Sequence, residues 1–321
     1  MAKNKSRRAV PSPLRGEGRR ERSERGVRGS ARSGPAPSPG AKAPPSPHRG
    51  EGELAACRNM AALMRRWIIA QSLASNVGHI GSALSIADIV AVLWHSIMRQ
   101  PGTDSGERDR FILAKGHAAL ALYCALRFKG LLSEAAFQTY CRDGSVLGAH
   151  PEHTLQGVDL STGSLGLSLS VGCGLAYAFR VKHSPARVYV LVSDAECNEG
   201  QVWEAAMFAA HHNLSALTVA LDLNGSQAMG QTSEILRIAQ RPLWEALGWQ
   251  VVESDGHDAA ALCSAFQAAS VPPRPKVVLA KTVLGKGVSF MENRFEWHYR
   301  NLTPEQAAAA LRELGQSSAG F

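Results

Sequence analysis

From Leu54 onward apolar residues recur at helical spacing, as in Met60, Leu63, Met64, Trp67 and Ile68 and again in Leu84, Ile89, Val92 and Leu93. Short β-rich runs at 111–113, 188–192, 217–221, 249–252 and 277–280 then alternate with helical stretches. The run Val188-Tyr189-Val190-Leu191-Val192 is almost wholly apolar, the mark of a strand covered on both faces. Strands of that kind separated by helices predict an α/β fold, a doubly wound parallel sheet with helices on both faces. No linker-like stretch interrupts residues 54–321, which therefore read as one domain.

Residues 1–53 lack this pattern. They hold 8 of the 16 prolines and 8 of the 30 glycines, and no apolar run that could bury a face, so the sequence predicts a disordered tail. Their 13 basic residues against 5 acidic account for the whole formal net charge of +8, because 54–321 carry 22 of each sign. The charge excess therefore says nothing about the partners of the folded part, and nucleic acid is not expected as one. An RNA-binding or targeting arm is the functional reading of the tail; a nonessential extension, or a true start at Met60, is the plainer one. The sequence offers no secretory signal and no membrane span. Six cysteines without a C-x-x-C pair predict reduced thiols in a cytoplasm.

In doubly wound sheets ligands lie at the carboxyl ends of the strands. The run ending at Val192 leads into Ser193-Asp194-Ala195-Glu196-Cys197-Asn198-Glu199-Gly200, and the next strand ends in Asp222-Leu223-Asn224-Gly225-Ser226. Asp194 and Asn224 offer a carboxylate and a carbonyl oxygen, which suit Mg²⁺ or Ca²⁺ better than zinc, although Asp and Asn also serve as caps and turn residues. Three histidines stand beside glycines: His79 in Gly78-His79-Ile80-Gly81-Ser82, His117 in Lys115-Gly116-His117, and His150 in Gly148-Ala149-His150-Pro151. Glycine there lets backbone approach a ligand. The turn Ser161-Thr162-Gly163-Ser164-Leu165-Gly166 precedes a predicted helix whose small residues Ser170, Gly174 and Ala178 read as a surface for close helix packing.

These motifs, with Arg108 through His117 and with Lys281-Thr282-Val283-Leu284-Gly285-Lys286-Gly287-Val288 through Glu296-Trp297-His298, resemble transketolase in order and spacing along about residues 54–315. The resemblance is to the amino-terminal half, which binds the diphosphate of thiamine diphosphate. It implies that Asp194, Asn224 and the carbonyl of Ser226 hold Mg²⁺, with Ca²⁺ or Mn²⁺ as substitutes. It further implies that His79, His117 and His298 line the cofactor and reaction centre, and that His150 meets substrate hydroxyls. Gly163, Ser164 and Leu165 match the turn supporting the cofactor rings, Ala195 and Glu196 the thiamine motif, and Glu199 an interface glutamate. Ser193 and Ala195 stand where that motif has glycines, Ile80 where proline is common, Leu167-Ser168 where Gln-Gly is usual, and Ala228 where a larger apolar residue is often found.

The implied activity is transfer of a two-carbon ketol unit from a ketose to an aldose, with sugars or sugar phosphates as substrates, in carbohydrate metabolism of the pentose phosphate type. The family's pyrimidine-binding domain is absent, which implies a separately encoded carboxyl-terminal subunit in an α₂β₂ assembly. A histidine set titrating near neutrality would suit proton transfer among sugar hydroxyls. Two rival readings stay open. One is another thiamine diphosphate enzyme subunit, of the 2-oxo acid dehydrogenase α or xylulose-phosphate synthase kind. The other is a non-catalytic relative with a nucleic-acid-binding tail.

Overall fold

The structure is a computed structural model that describes residues 50–315, so the predicted tail lies, up to residue 49, outside the described residues. Five strands form one parallel sheet: β1 (Arg110–Leu113), β2 (Val188–Ser193), β3 (Leu217–Leu223), β6 (Gln250–Asp255) and β7 (Lys276–Lys281), in the order β1-β2-β3-β7-β6. Between them β4 (Ser226–Gln227) and β5 (Gly230–Gln231) make a small antiparallel hairpin. All five predicted runs are strands, with ends within a few residues of those expected.

Alternate residues of each strand enter opposite cores, as the period of two demands. Tyr189 and Leu191 of β2, with Phe111, Leu113, Ala220 and Val278, pack under the helices Glu51–Ser75, Ala87–Val92, Ala119–Phe128 and Ala259–Gln267. Val188, Val190 and Val192, with Ile112, Val219 and Val277, pack under the helices Leu167–Val181 and Gly200–His211. Every residue of β2 is buried, which explains why its apolar run does not alternate. The Glu51–Ser75 helix starts inside the stretch assigned to the tail and stops at Asn76 in a left-handed conformation (φ 53°).

This architecture sets the strand ends β1, β2, β3 and β7 side by side, each leading into a turn. His79 sits at the start of the Ile80–Ser85 helix with φ 62°, a region that favours glycine but is entered by histidine more readily than by most residues. No helix among the described residues is long and apolar enough to cross a membrane.

Candidate active site

Beyond β1 the chain passes through Lys115 into a short turn, Gly116–Ala118, that presents His117. Gly116 is required there, because a Cβ would lie 2.8 Å from the carbonyl oxygen of Thr162. The β1 turn is thereby pressed onto the Ser161–Gly166 turn.

Beyond β2, Asp194 caps the short helix Ala195–Asn198. Its Oδ1 accepts from the Ala195 amide at 2.8 Å and its Oδ2 from the Gly225 amide at 2.8 Å, which ties the ends of β2 and β3 together. Beyond β3, the Asn224 side-chain amide donates to Asp222 Oδ2 at 2.9 Å, and its Oδ1 accepts from the Ser226 amide at 2.9 Å. The oxygen of Asn224 is thus oriented by its own amide group.

Asp222 is the hub of this end of the sheet. It is fully buried and receives Lys115 Nζ at 2.5 Å, Ser85 Oγ at 2.8 Å, Asn224 Nδ2 and the hydroxyl of Thr282. Lys115 is buried as well. Buried charges persist only when paired and hydrogen-bonded, and both conditions are met. Spacing along the sequence assigns Lys115 and Asp222 no role. The available signal was a charge near the end of an apolar strand, Leu217–Leu223, where an unpaired carboxylate could not survive.

Three histidines from distant segments meet as a triangle: the ring centroids of His79 and His117 are 5.1 Å apart, those of His79 and His298 5.1 Å, and those of His117 and His298 5.0 Å. His79 donates its backbone N–H to the carbonyl of His298 at 3.1 Å, and His298 Nδ1 lies 3.2 Å from Ser82 Oγ. The ring of His150 lies against Gly163, where a Cβ would stand 3.3 Å from His150 Cδ2.

The expectation that the histidines titrate near neutrality is corrected for this triangle. Burial, with the neighbouring histidines and Lys115 adding to it, holds His117 far below the ordinary value and His298 down at about 4; burial and His150 also lower His79. All three are neutral at pH 7. An unfolded histidine takes up its proton near pH ~6.5, so stability is retained above that pH and is lost as pH falls below it, down to about 4 where folded His298 itself protonates. A His298→Gln variant is therefore expected to lose less stability than the wild type between pH 7 and pH 5. Denaturant titrations across that range check this, and equal losses would contradict it.

These residues surround a cleft of about 390 Å³ lined by His79, His117, His150, His298, Gly163, Leu165, Ala195, Glu199, Asn224 and Ser226. Ser193, Asn198, Gln227, Ala228, Leu284, Lys115, Ser82 and Tyr299 complete the lining. The remaining predicted residues sit elsewhere. Ser164 is exposed outside the cleft lining. Asp194 is buried behind the cleft, where it borders a second pocket of about 250 Å³ beside Gly225 and Arg237. Glu196 is buried beneath, accepting from the Gly166 amide at 2.8 Å and the Ser193 amide at 3.4 Å. Burial pushes the Asp194 carboxyl up to about 7, with the Asp222 charge adding to it, and burial pushes that of Glu196 to about 7.

The cleft fits a polar, anionic ligand with a cation. His79 Nδ1, Asn198 Oδ1 and Gln227 Nε2 are buried without a hydrogen-bond partner in the protein, a costly state that a bound ligand would relieve. Among the described residues no three His, Cys, Asp or Glu side chains converge as metal ligands. A cation at Asp194, Asn224 and the Ser226 carbonyl would need further oxygens, which a diphosphate and water supply to Mg²⁺.

Fold and cleft define a thiamine diphosphate-binding domain, and the comparisons agree. Residues 58–321 match the family described as transketolase, thiamine diphosphate binding domain. The chain belongs to this family. It is 37% identical over 269 residues to the 6-deoxy-6-sulfo-D-fructose transketolase subunit SqwG of Clostridium sp. (strain MSTE9), covering 82% of this chain and 97% of that protein. It is 35% identical over 246 residues to an apulose-4-phosphate transketolase subunit from Phocaeicola vulgatus, covering 75% and 88%. Against human transketolase the identity is 35% over 269 residues, 82% of this chain but 42% of that one. The crystal structure of transketolase from Campylobacter jejuni superposes with a TM-score of 0.76 at 26% identity, over 83% of this chain and 43% of that one. The chain thus spans less than half the length of these single-chain transketolases.

Proposed function

We propose that this chain is the amino-terminal, diphosphate-binding subunit of a split transketolase. It transfers a two-carbon ketol unit from a ketose to an aldose together with a separately encoded carboxyl-terminal subunit, in an α₂β₂ assembly. The observation that carries this reading is similarity over 97% and 88% of the length of two proteins themselves named as transketolase subunits. Both of those names specify a sugar derivative bearing an acidic group, a sulfonate or a phosphate, which supports an anionic ketose as the substrate class here. A cytoplasmic setting is supported by the six cysteines, all free thiols.

Asp194, Asn224 and the Ser226 carbonyl would hold Mg²⁺, and the partnerless His79 Nδ1 and Gln227 Nε2 would receive the anionic part of thiamine diphosphate, a reading supported by their burial without a hydrogen-bond partner. When bound, that cofactor supplies a carbon nucleophile able to cleave and form carbon–carbon bonds next to a carbonyl. The protein contributes position and proton placement. The neutral triangle of His79, His117 and His298 presents ring nitrogens that donate or accept hydrogen bonds to sugar oxygens without adding charge. His150, against the Gly163 turn, meets substrate hydroxyls.

Replacing His150 by Ala is expected to raise KM for the sugar by about tenfold, the loss of one hydrogen bond of about 1.4 kcal/mol, with cofactor affinity unchanged. Steady-state kinetics of the two-subunit complex measure this; a wild-type KM would count against the assignment. The partner itself is tested by co-expression with a separately encoded carboxyl-terminal half. The two chains should purify together, and independent migration would argue against the split-enzyme reading.

A further inference from the structure

The run Asp255-Gly256-His257-Asp258 closes β6 and lies outside the cleft lining. It is pressed against the end of β7. A Cβ on Gly256 would lie 2.3 Å from Thr282 Cγ2, and the Gly256 amide donates to the Lys281 carbonyl at 2.8 Å, so glycine is needed for the two strand ends to meet this closely. Asp255 Oδ1 accepts from the His257 amide at 2.8 Å and Asp258 caps the helix Ala259–Gln267, which fixes the backbone on both sides of His257.

The imidazole joins two partners of different kinds. Its Nδ1 lies 2.7 Å from Asp88 Oδ2, and its Nε2 accepts from the Val283 amide at 2.9 Å. An Nε2 that accepts leaves the ring hydrogen on Nδ1, facing the carboxylate. Asp88 is held in turn by Arg65, whose guanidinium donates to both carboxylate oxygens and whose Nε donates to the Lys286 carbonyl at 3.1 Å. Burial opposes the charge on Asp88, yet His257 and Arg65 hold its carboxyl below the usual carboxylate range. The three side chains are 10–14% accessible, and the series they form ends on the backbone of one segment, at Val283 and at Lys286.

Between those two anchors stands Leu284, whose side chain lines the cleft. It packs on the helix that His79 opens, where a Cβ on Gly81 would lie 3.1 Å from Leu284 Cδ1. Thr282 is tied to Asp222, and the Gly285 amide donates to the Gly81 carbonyl at 3.0 Å, so Val283 and Leu284 form a short turn hinged at both ends. We propose that His257 is a positioning residue for the cleft: by accepting the Val283 amide, with its tautomer fixed by Asp88, it sets where Leu284 stands against bound thiamine diphosphate. The proposal rests on the thiamine diphosphate reading of the cleft.

Two variants separate the two bonds of the ring. Gln can place an amide oxygen near the position of Nε2 and still accept from Val283, whereas Asn reaches only the position of Nδ1, where it can donate to Asp88 but not accept from Val283. Hydrogen exchange of the full chain should show the Val283 amide about tenfold less protected in His257→Asn, the loss of one hydrogen bond, and near wild type in His257→Gln. In the two-subunit complex with Mg²⁺, calorimetric titration should show thiamine diphosphate bound about tenfold more weakly by His257→Asn and within about threefold of wild type by His257→Gln. Leu284→Ala should weaken the cofactor as well, and adding His257→Asn to it should cost little more. Equal protection of Val283 in all three proteins overturns the proposal. So does an unprotected Val283 with unchanged cofactor affinity, equal weakening by Gln and Asn, or fully additive losses with Leu284→Ala. A wild-type complex that binds no thiamine diphosphate overturns the reading of the cleft together with this proposal, whereas any of the former results beside a normal wild-type titration overturns this proposal alone.

Discussion

Asp194→Asn is expected to abolish Mg²⁺-dependent thiamine diphosphate binding while leaving the protein folded. The carboxylate that on the proposed reading meets the cation ties the ends of two strands together, its Oδ1 accepting from the Ala195 amide and its Oδ2 from the Gly225 amide, which fixes its position. Removing groups that only support a metal ligand costs ten- to a hundredfold in affinity, so removing the ligand charge itself should cost at least about a hundredfold. Stability should change less. Burial and the nearby Asp222 charge raise the Asp194 carboxyl to about 7, so a neutral side chain relieves repulsion in the ligand-free fold, but the asparagine amide nitrogen cannot accept from a backbone N–H and one of the two hydrogen bonds is lost. Calorimetric titration of the cofactor with and without Mg²⁺, alongside thermal melts, separates the two effects. Unchanged affinity in the variant would remove Asp194 from the site.

Lys115→Met should be the most damaging single change to the fold near the cleft. It leaves Asp222 fully buried with donors from Ser85, Asn224 and Thr282 but no compensating charge. Breaking one side of a buried ion pair costs about 3–5 kcal/mol, which for a domain of this size lowers the melting temperature by roughly 10 °C. Adding Asp222→Asn to Lys115→Met should recover part of the loss, since the unpaired charge is then gone. Chemical denaturation of both variants checks this, and a loss under about 1 kcal/mol in Lys115→Met would mean that the pair contributes little.

How much of this was legible in the sequence depended on the kind of interaction. The strands were readable because burial on both faces leaves a nearly pure apolar run, as in Val188 to Val192. The position of the cleft followed from the rule that ligands gather at strand ends; Asn224 and the four histidines line it, while Asp194 lies buried behind it. The triangle of His79, His117 and His298 could be suspected but not drawn, because the three lie far apart in the chain and meet only through the sheet order. Their titration was misjudged for a related reason: burial sets it, and burial is a property of the assembled fold. The hub at Asp222 was overlooked because neither Lys115 nor Asp222 reveals its partner by spacing. The stripe Ser170, Gly174 and Ala178 shows a different limit, since Gly174 is exposed and a Cβ added to it meets no atom within 4 Å. Periodicity tells which residues share a helix face, but not whether that face turns toward the core or away from it.

The central claim is that this chain performs ketol transfer only as half of an enzyme. It is tested most directly by incubating a ketose phosphate labelled with ¹³C at C1 and C2 with an unlabelled aldose phosphate, thiamine diphosphate and Mg²⁺, and following the label by NMR. The label should appear in a ketose two carbons longer than the acceptor when both this chain and the separately encoded carboxyl-terminal half are present, and nowhere when either is omitted. Transfer by this chain alone, or no transfer by the assembled pair across anionic ketose donors, would contradict the account.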